Sequence, residues 1–440
     1  MTAAGAATRV FRAFNPDKEV SPKDAEWVDF DAYRDRPVLQ PIAQDIGDSE
    51  PGASLVRLLS GGRGVGKSSA LRALKQQLEE GVNGQKFHVT LIDADDLLDL
   101  NDCSAADLLI LITGTVLGEL RDSKLAGQGP AESAYDYLIN SVLDIADFEV
   151  EGVEAFGVKF KRGFQKKRSA IKEARDRIDA LRTDIVFRFK DVLQQVNLRL
   201  GEHGLGGLVV IVDGTDKIVN RLVTVSEDGV QYEVDQQKRA LVEPASMWTD
   251  LGCHLVLTLP NSLAYSDDVR PLELQARTRL LSMPLVPLCH KADGEISESA
   301  KGYQLMEALI QNRCQIAGLQ VSDVFESEEV RHRLIQLTGG HPAELMRFVR
   351  SARGGGDSLP ITEDALMRAV EDETDALFQR IPKSYWPVLR SLGTPQTAVD
   401  QQDERIRKSL FYMYIFHYKN GESWYEVNPV LRESRGFRTT

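Results

Sequence analysis

The chain lacks an uninterrupted apolar run of the roughly 18 residues that a membrane-spanning helix needs, so no membrane span is expected. Met1 to Arg12 carries small residues and arginines but no apolar stretch, so no secretory signal is expected and the expected location is the cytoplasm. Cysteine is scarce. Cys103, Cys253, Cys289 and Cys314 are scattered without a Cys-x-x-Cys pair, which argues against a zinc site or a disulfide framework and fits a reducing compartment. Cys289-His290 puts two ligand types side by side, but it matches no zinc spacing and reads as a buried Cys beside a loop His. Basic residues fall short of acidic ones, 53 against 66, and the net charge of −13 opposes a general nucleic-acid coat or an anionic membrane surface.

What is present is an ordinary globular composition, 42% apolar and 27% charged, over 440 residues, long enough for two or three domains. Residues 1–50 read as a lead-in segment, with a short helix expected somewhere in Trp27 to Ile46 and a stop at Pro51-Gly52. Continuous apolar runs at 55–59, 87–92, 208–212, 254–259 and 280–287 predict buried parallel strands. Between them, Ser69 to Glu80, Asp107 to Leu120 and Arg168 to Leu200 have helical periodicity, and 148–160 reads as a small inserted hairpin. Strands alternating with helices predict an α/β parallel sheet covered on both faces. From Ser297 the pattern turns helical, with helices expected at 303–317, 327–338 and 343–352. After the break at Gly354-Gly355-Gly356, helices are expected at 362–377, 384–392 and 404–412, then a hairpin about Asn420-Gly421, an order that spells a winged helix. The expected domains are thus a core at 51–292 with an insertion at about 127–200, a helical lid at 293–353 and a winged helix at 357–440.

Gly61-Gly62-Arg63-Gly64-Val65-Gly66-Lys67-Ser68 fits G-x-x-x-x-G-K-[ST] in full, and it follows a predicted strand and precedes a predicted helix. Glycines let such a backbone turn its N–H groups inward as an anion nest, at the positive end of the helix dipole. Lys67 would reach the β- and γ-phosphates, Ser68 would offer a hydroxyl to Mg²⁺, and Ser69 extends the cradle. The alternative, a glycine-rich loop without function, leaves that context unexplained. Leu208 to Val212 ends in Asp213, about 145 residues beyond Lys67, which is the Walker B arrangement of a strand-tip acid holding Mg²⁺ through water. Many ATPases place a Glu directly after that acid, but here the position is Gly214, and Asp216 is the nearest carboxylate and the candidate general base, or else a turn cap. Asn261, at the tip of the following strand, is a candidate partner for the γ-phosphate or the attacking water, with Thr258 as the alternative. No N-K-x-D guanine reader is evident, so ATP is expected rather than GTP.

With these motifs the chain resembles the STAND and AAA+ side of the P-loop ATPases, near the origin-recognition-like group. The resemblance is carried by S-G-G-R-G-V-G-K-S-S-A-L at 60–71, L-V-V-I-V-D-G-T-D-K-I at 208–218 and L-V-L-T-L-P-N-S-L at 255–263. L-T-G-G-H-P-A-E-L at 337–345 and Y-K-N-G-E-S-W-Y-E-V-N-P at 418–429 add to it. It implies ATP and Mg²⁺ as ligands, with His341 and Pro342 of the lid break approaching the adenine or ribose. It also implies a winged helix that regulates or binds DNA, and an effector or sensor protein as partner, because the chain carries no effector motif of its own. Bacterial relatives of this plan serve in anti-phage defence, and assembly into homo-oligomers is compatible with it. Two departures, Gly214 for the usual Glu and Ala343 for an arginine after the break (Arg347 lies a turn on), favour a switch over a processive motor. Arg270, Arg277 and Arg279 are undistinguished candidates for an arginine finger.

The densest basic run, Lys159, Lys161, Arg162, Lys166, Lys167, Arg168 and Lys172, is offset by Asp144, Asp147, Glu149, Glu151 and Glu154 and reads as a solvated helix start. The candidate recognition helix of the winged helix, at 404–412, carries Arg405, Arg407 and Lys408, but Glu422 and Glu426 follow in the hairpin. A partner-facing role is favoured there over DNA reading.

Overall fold

In the computed structural model the described residues are 3–31, 37–50, 52–122, 182–224, 231–292, 295–353, 359–400, 402–420, 422–434 and 437. The expected hairpin at 148–160, the basic run at 159–172, the start of the long helix at 168–181 and the triple glycine at 354–356 lie outside them. The chain divides into two compact units, one made of 39–60 and 74–281, the other of 1–38, 61–73 and 282–440.

The strands are β1 (Val56–Gly61), β2 (His88–Asp93), β3 (Leu208–Asp213), β4 (Arg221–Thr224), β5 (Gln231–Val234), β6 (His254–Leu259), β7 (Leu281–Met283), β8 (Cys289–Ala292), β9 (Glu295–Glu298), β10 (Ile415–Asn420) and β11 (Glu422–Val427). The central sheet has the order β2-β3-β6-β1-β7, and the pairs β2–β3, β3–β6 and β1–β6 are parallel. In register, Asp93 stands opposite Asp213, and Ser60 opposite Leu259, so these strands end at one common edge. Every residue of β3 and of β6 is buried, as their uninterrupted apolar runs require. One face, with Leu208, Val210, Val212, Leu255 and Leu257, packs on Leu108, Leu109 and Ile112 of the helix Ala105–Asp122 and on Leu193, Val196 and Leu200 of the helix Arg182–Glu202. The residues that alternate with them, Val209, Ile211 and Val256, are equally inaccessible. The sheet is therefore covered on both faces, as an α/β fold of parallel strands demands.

At the foot of β6 the His254 ring is buried, accepts the Leu55 N–H at Nδ1 (3.3 Å) and meets the Phe87 ring edge-on. Burial, and then the nearby Arg57 charge, push its pKa down to about 4.

The second unit opens with a helix, Ala3–Ala13, where no helix was expected. Its buried stripe, Ala7, Val10 and Ala13, continues to Phe14 at the three- and four-residue spacing of a helix, a short periodicity that the sequence does carry. Arginines from the C-terminal part fix it. Arg313 donates to the Ala13 carbonyl (2.9 Å), Arg353 donates to the Ala7 carbonyl (2.7 Å), and the Arg350 and Arg353 guanidinium groups lie 3.9 and 4.6 Å from the Phe11 ring centroid. The helix expected within Trp27 to Ile46 is only Leu39–Gly47, and Trp27 to Phe30 is irregular. Helices Ala300–Ile316, Glu328–Thr338 and Pro342–Ala352 surround a core of Met306, Leu309, Ile310, Leu334, Ile335, Leu345 and Val349. Further helices at Glu363–Arg380, Trp386–Ser391 and Glu404–Phe411 precede the β10–β11 hairpin, where Tyr418 stacks on Trp424 (4.2 Å). The short hairpins β4–β5 and β8–β9 were not expected, since strands of four residues are too short to show a clear period.

Unfolded, His254 takes up its proton near pH 6.5; folded, it does so only near about 4. The unfolded form thus binds more protons between those values, and stability falls as pH falls through them, by about 3 kcal/mol at most for this residue. Urea unfolding at pH 7 and pH 5 should show a smaller pH dependence for His254→Gln than for wild type; equal dependence would refute the assignment.

Candidate functional site

The loop Gly61–Gly66 leads into the 14-residue helix Lys67–Glu80, so the predicted strand–loop–helix context is present. Gly64 and Gly66 have φ of +78° and +95°, the left-handed values that let successive peptide planes curl into a nest. A Cβ on Gly66 would meet nothing within 4 Å, whereas one on Gly64 would lie 2.6 Å from both the Ala343 Cβ and the His341 Cε1. The loop has free space beside Gly66, while at Gly64, itself exposed, His341 and Ala343 come close on one side. Lys67 is buried, and its Nζ donates to the carbonyls of Gly61 (2.7 Å) and Gly62 (2.8 Å), which lays the side chain along its own loop. Ser68 is partly exposed, Val65 is buried and Arg63 is exposed. The Ser69 hydroxyl accepts the Val20 N–H (3.4 Å), and Arg72 on the same helix pairs with Glu19, so the N-terminal segment runs beside this helix start.

The predicted lid break is a left-handed turn, with Gly339 and Gly340 at φ +57° and +76°. His341 follows and caps the helix Pro342–Ala352: the Glu344 N–H donates to its Nδ1 (3.2 Å). Its Nε2 lies 2.8 Å from the Arg63 carbonyl oxygen, and the Ala343 N–H donates to the Gly64 carbonyl (3.4 Å). Both ring nitrogens of His341 are therefore engaged by backbone, and Pro342 occupies the first turn of the helix, where its missing N–H costs nothing. Complete burial, reinforced by the Arg347 charge, pushes the His341 pKa down to about 3, so the ring is neutral at physiological pH. From the C-terminal hairpin region, Met413 packs against Gly62, and the Tyr418 hydroxyl donates to the Gly339 carbonyl (2.7 Å).

In the other unit, the strand tips gather carboxylates. Asp213 ends β3, is buried, and accepts the N–H of Gly214 at its own Oδ1 (2.8 Å). Gly214 has φ +81°, and a Cβ there would come within 2.8 Å of Asp93 Oδ1 and 2.9 Å of the Asp95 nitrogen. Any side chain at this position would strain the left-handed backbone and press on Asp93 and Asp95. Asp216 lies buried in the single turn Thr215–Lys217 that follows. The Thr215 hydroxyl sits 2.9 Å from that of Thr258, which donates to the Val212 carbonyl (3.2 Å), so Thr258 ties β6 to β3. Asn261, buried at the tip of β6, accepts the Ser60 hydroxyl at Oδ1 (2.7 Å). Because β6 lies between β1 and β3, it joins the strand that feeds the loop to the strand that carries Asp213. Sequence reading did not single out Asp93, whose only signal was its place in the acidic turn after β2.

Among the described residues no group of three or more His, Cys, Asp or Glu side chains suits a metal ion. A divalent ion on Ser68 or Asp213 would thus take most of its oxygens from water and a bound phosphate, which is how Mg²⁺ is held in nucleotide sites. The open nest at Gly66 and the helix start suit a polyphosphate in the same way.

No family model and no curated protein matches the sequence. Solved structures similar to it include the Walker-type ATPase PABY2304 of Pyrococcus abyssi, 13% identical with a TM-score of 0.48, over 97% of this chain and 100% of that one. Drosophila ORC bound to DNA is 9% identical with a TM-score of 0.39, over 96% of this chain and 89% of that one.

Gly214→Ala should lower stability by about 1–3 kcal/mol through the left-handed backbone and the approach of Asp93 and Asp95. Thermal or chemical unfolding measures this, and a variant as stable as wild type would show that the turn relaxes freely.

Proposed function

We propose that the chain is an ATP-binding switch with slow hydrolysis, in which nucleotide state is passed from the phosphate loop to the lid and a C-terminal winged helix. The observation that carries this reading is that both later elements touch the loop directly, His341 and Ala343 of the lid at Gly64 and Met413 of the hairpin region at Gly62. A loop that must accommodate phosphates cannot change shape without disturbing those contacts, which is what couples a ligand to a two-state element.

In this reading Lys67 neutralises the β- and γ-phosphates, and Ser68 and Asp213 hold the Mg²⁺, which supplies charge neutralisation when bound. Asp216 accepts a proton from water. Asn261, with Oδ1 committed to Ser60, offers its amide N–H to an anion or to that water. His341 has both ring nitrogens occupied, so its part is played through the loop rather than through the base. Arg405 pairs with Asp403 and Lys408 with Glu404 on the candidate recognition helix, which favours a protein partner over DNA. The reading extends to control of an effector or sensor protein in the cytoplasm, with anti-phage defence as the setting that the family resemblance suggests.

Wild type should release phosphate from Mg-ATP, and Lys67→Ala and Asp213→Ala should not. Asp216→Asn should bind nucleotide within about twofold of wild type yet lose turnover by about 10²-fold or more. Turnover by Asp216→Asn at the wild-type rate would remove it as the base. Wild type that neither binds nor hydrolyses ATP would end the reading. Duplex-DNA affinity that falls steeply with salt would favour an initiator-like function instead.

A further inference from the structure

The lid meets the loop through backbone carbonyls, and that choice has a geometric consequence. The ring of His341 is only 1% exposed. Its Nδ1 accepts the Glu344 N–H, so the single proton of the neutral ring is on Nε2. A protonated Nε2 can only donate, and its partner 2.8 Å away is the Arg63 carbonyl oxygen. One residue on, the Gly64 carbonyl accepts the Ala343 N–H (3.4 Å). Two successive loop carbonyls are thereby held on the lid side. In a trans peptide the C=O and the following N–H point in opposite directions. Holding the oxygens of Arg63 and Gly64 toward the lid turns the N–H groups of Gly64 and Val65 away from it, the arrangement of an anion nest.

We propose that His341 is a positioning residue for the phosphate loop, which, with the Ala343 N–H, holds the Arg63 and Gly64 carbonyls so that consecutive N–H groups face a bound phosphate. This deepens the ATP-switch reading and rests on it. It also replaces the expectation that His341 reads the adenine or ribose. The ring touches no part of the ligand; it shapes the surface that does. Burial keeps the ring neutral at physiological pH, so the Nε2–H donor and the Nδ1 acceptor are present together. The first helical residue can be Pro342, with no N–H, because the capping side chain reaches the N–H of Glu344 instead.

Three variants separate this role from simple packing. In His341→Asn the side-chain oxygen still caps the helix but is too short to reach Arg63. In His341→Gln an N–H donor of nearly the original reach is restored. His341→Ala removes both functions. Binding of a fluorescent ATP analogue with Mg²⁺ to the full chain, competition by inorganic pyrophosphate and by adenosine, and melting temperature are measured for each. His341→Asn should keep the wild-type melting temperature within a few degrees while binding ATP and pyrophosphate on the order of tenfold more weakly, the scale of one net hydrogen bond. Adenosine competition should be unchanged, and His341→Gln should recover most of the pyrophosphate affinity. Wild-type affinity in His341→Asn would overturn the proposal. So would a loss for ATP and adenosine that spares pyrophosphate, which would return the residue to base recognition. Equal losses of affinity and melting temperature in both Asn and Gln variants would reduce it to packing. Failure of wild type to bind the analogue would instead sink the ATP-switch reading itself.

Discussion

A backbone loop offers its N–H groups to an anion when the carbonyls between them point elsewhere, to protein or to water. Each peptide carries one donor and one acceptor, and a buried acceptor without a partner costs about 1–3 kcal/mol. Here the partners come from within the same compact unit. Lys67 takes the oxygens of Gly61 and Gly62, His341 takes that of Arg63, and the first turn of the helix Pro342–Ala352 takes that of Gly64. The glycines make the conformation accessible, but the conformation is held by residues some 275 positions further along the chain. The left-handed Gly339-Gly340 break is needed for the same reason, because it aims the next helix start, with its histidine cap, at the loop.

The acidic half obeys a different constraint. Parallel strands ending in register bring Asp93 and Asp213 together at one edge, and the tight turn after Asp213 leaves no room beside Gly214. Geometry thus favours glycine at position 214. The carboxylate at 216 is reached one short turn later, with its neighbour Thr215 locked to Thr258. Thr258 is thus a tie between strands, which leaves Asn261 as the polar side chain at the tip of β6 that faces the chemistry in the proposed mechanism.

Much of this was legible in the sequence where one strong signal dominated. The β3 run Leu208 to Val212 is buried on both faces and so is apolar throughout, and the loop pattern constrains nearly every position from Gly61 to Ser68. The helix Ala3–Ala13 was legible in the spacing of Ala7, Val10 and Phe14, though the arginines that hold it lie beyond residue 300. The β4–β5 and β8–β9 hairpins failed to show because strands of four residues are too short to establish a period. The part of His341 was half legible. Its place in the Gly-Gly-His-Pro break marked it as important, but which atom it serves depends on a carbonyl that no residue pattern records.

The unit that contains the loop is assembled from residues 1–38, 61–73 and 282–440. Arg63 of the glycine-rich loop and His341, whose ring meets its carbonyl, stand 278 positions apart in the chain. Contacts of such long sequence separation form late, after the cost of closing the intervening chain has been met. A nascent or truncated chain can thus carry the complete phosphate motif without the architecture that shapes it. Ordering of the glycine-rich loop then depends on the folding of the whole unit that contains it.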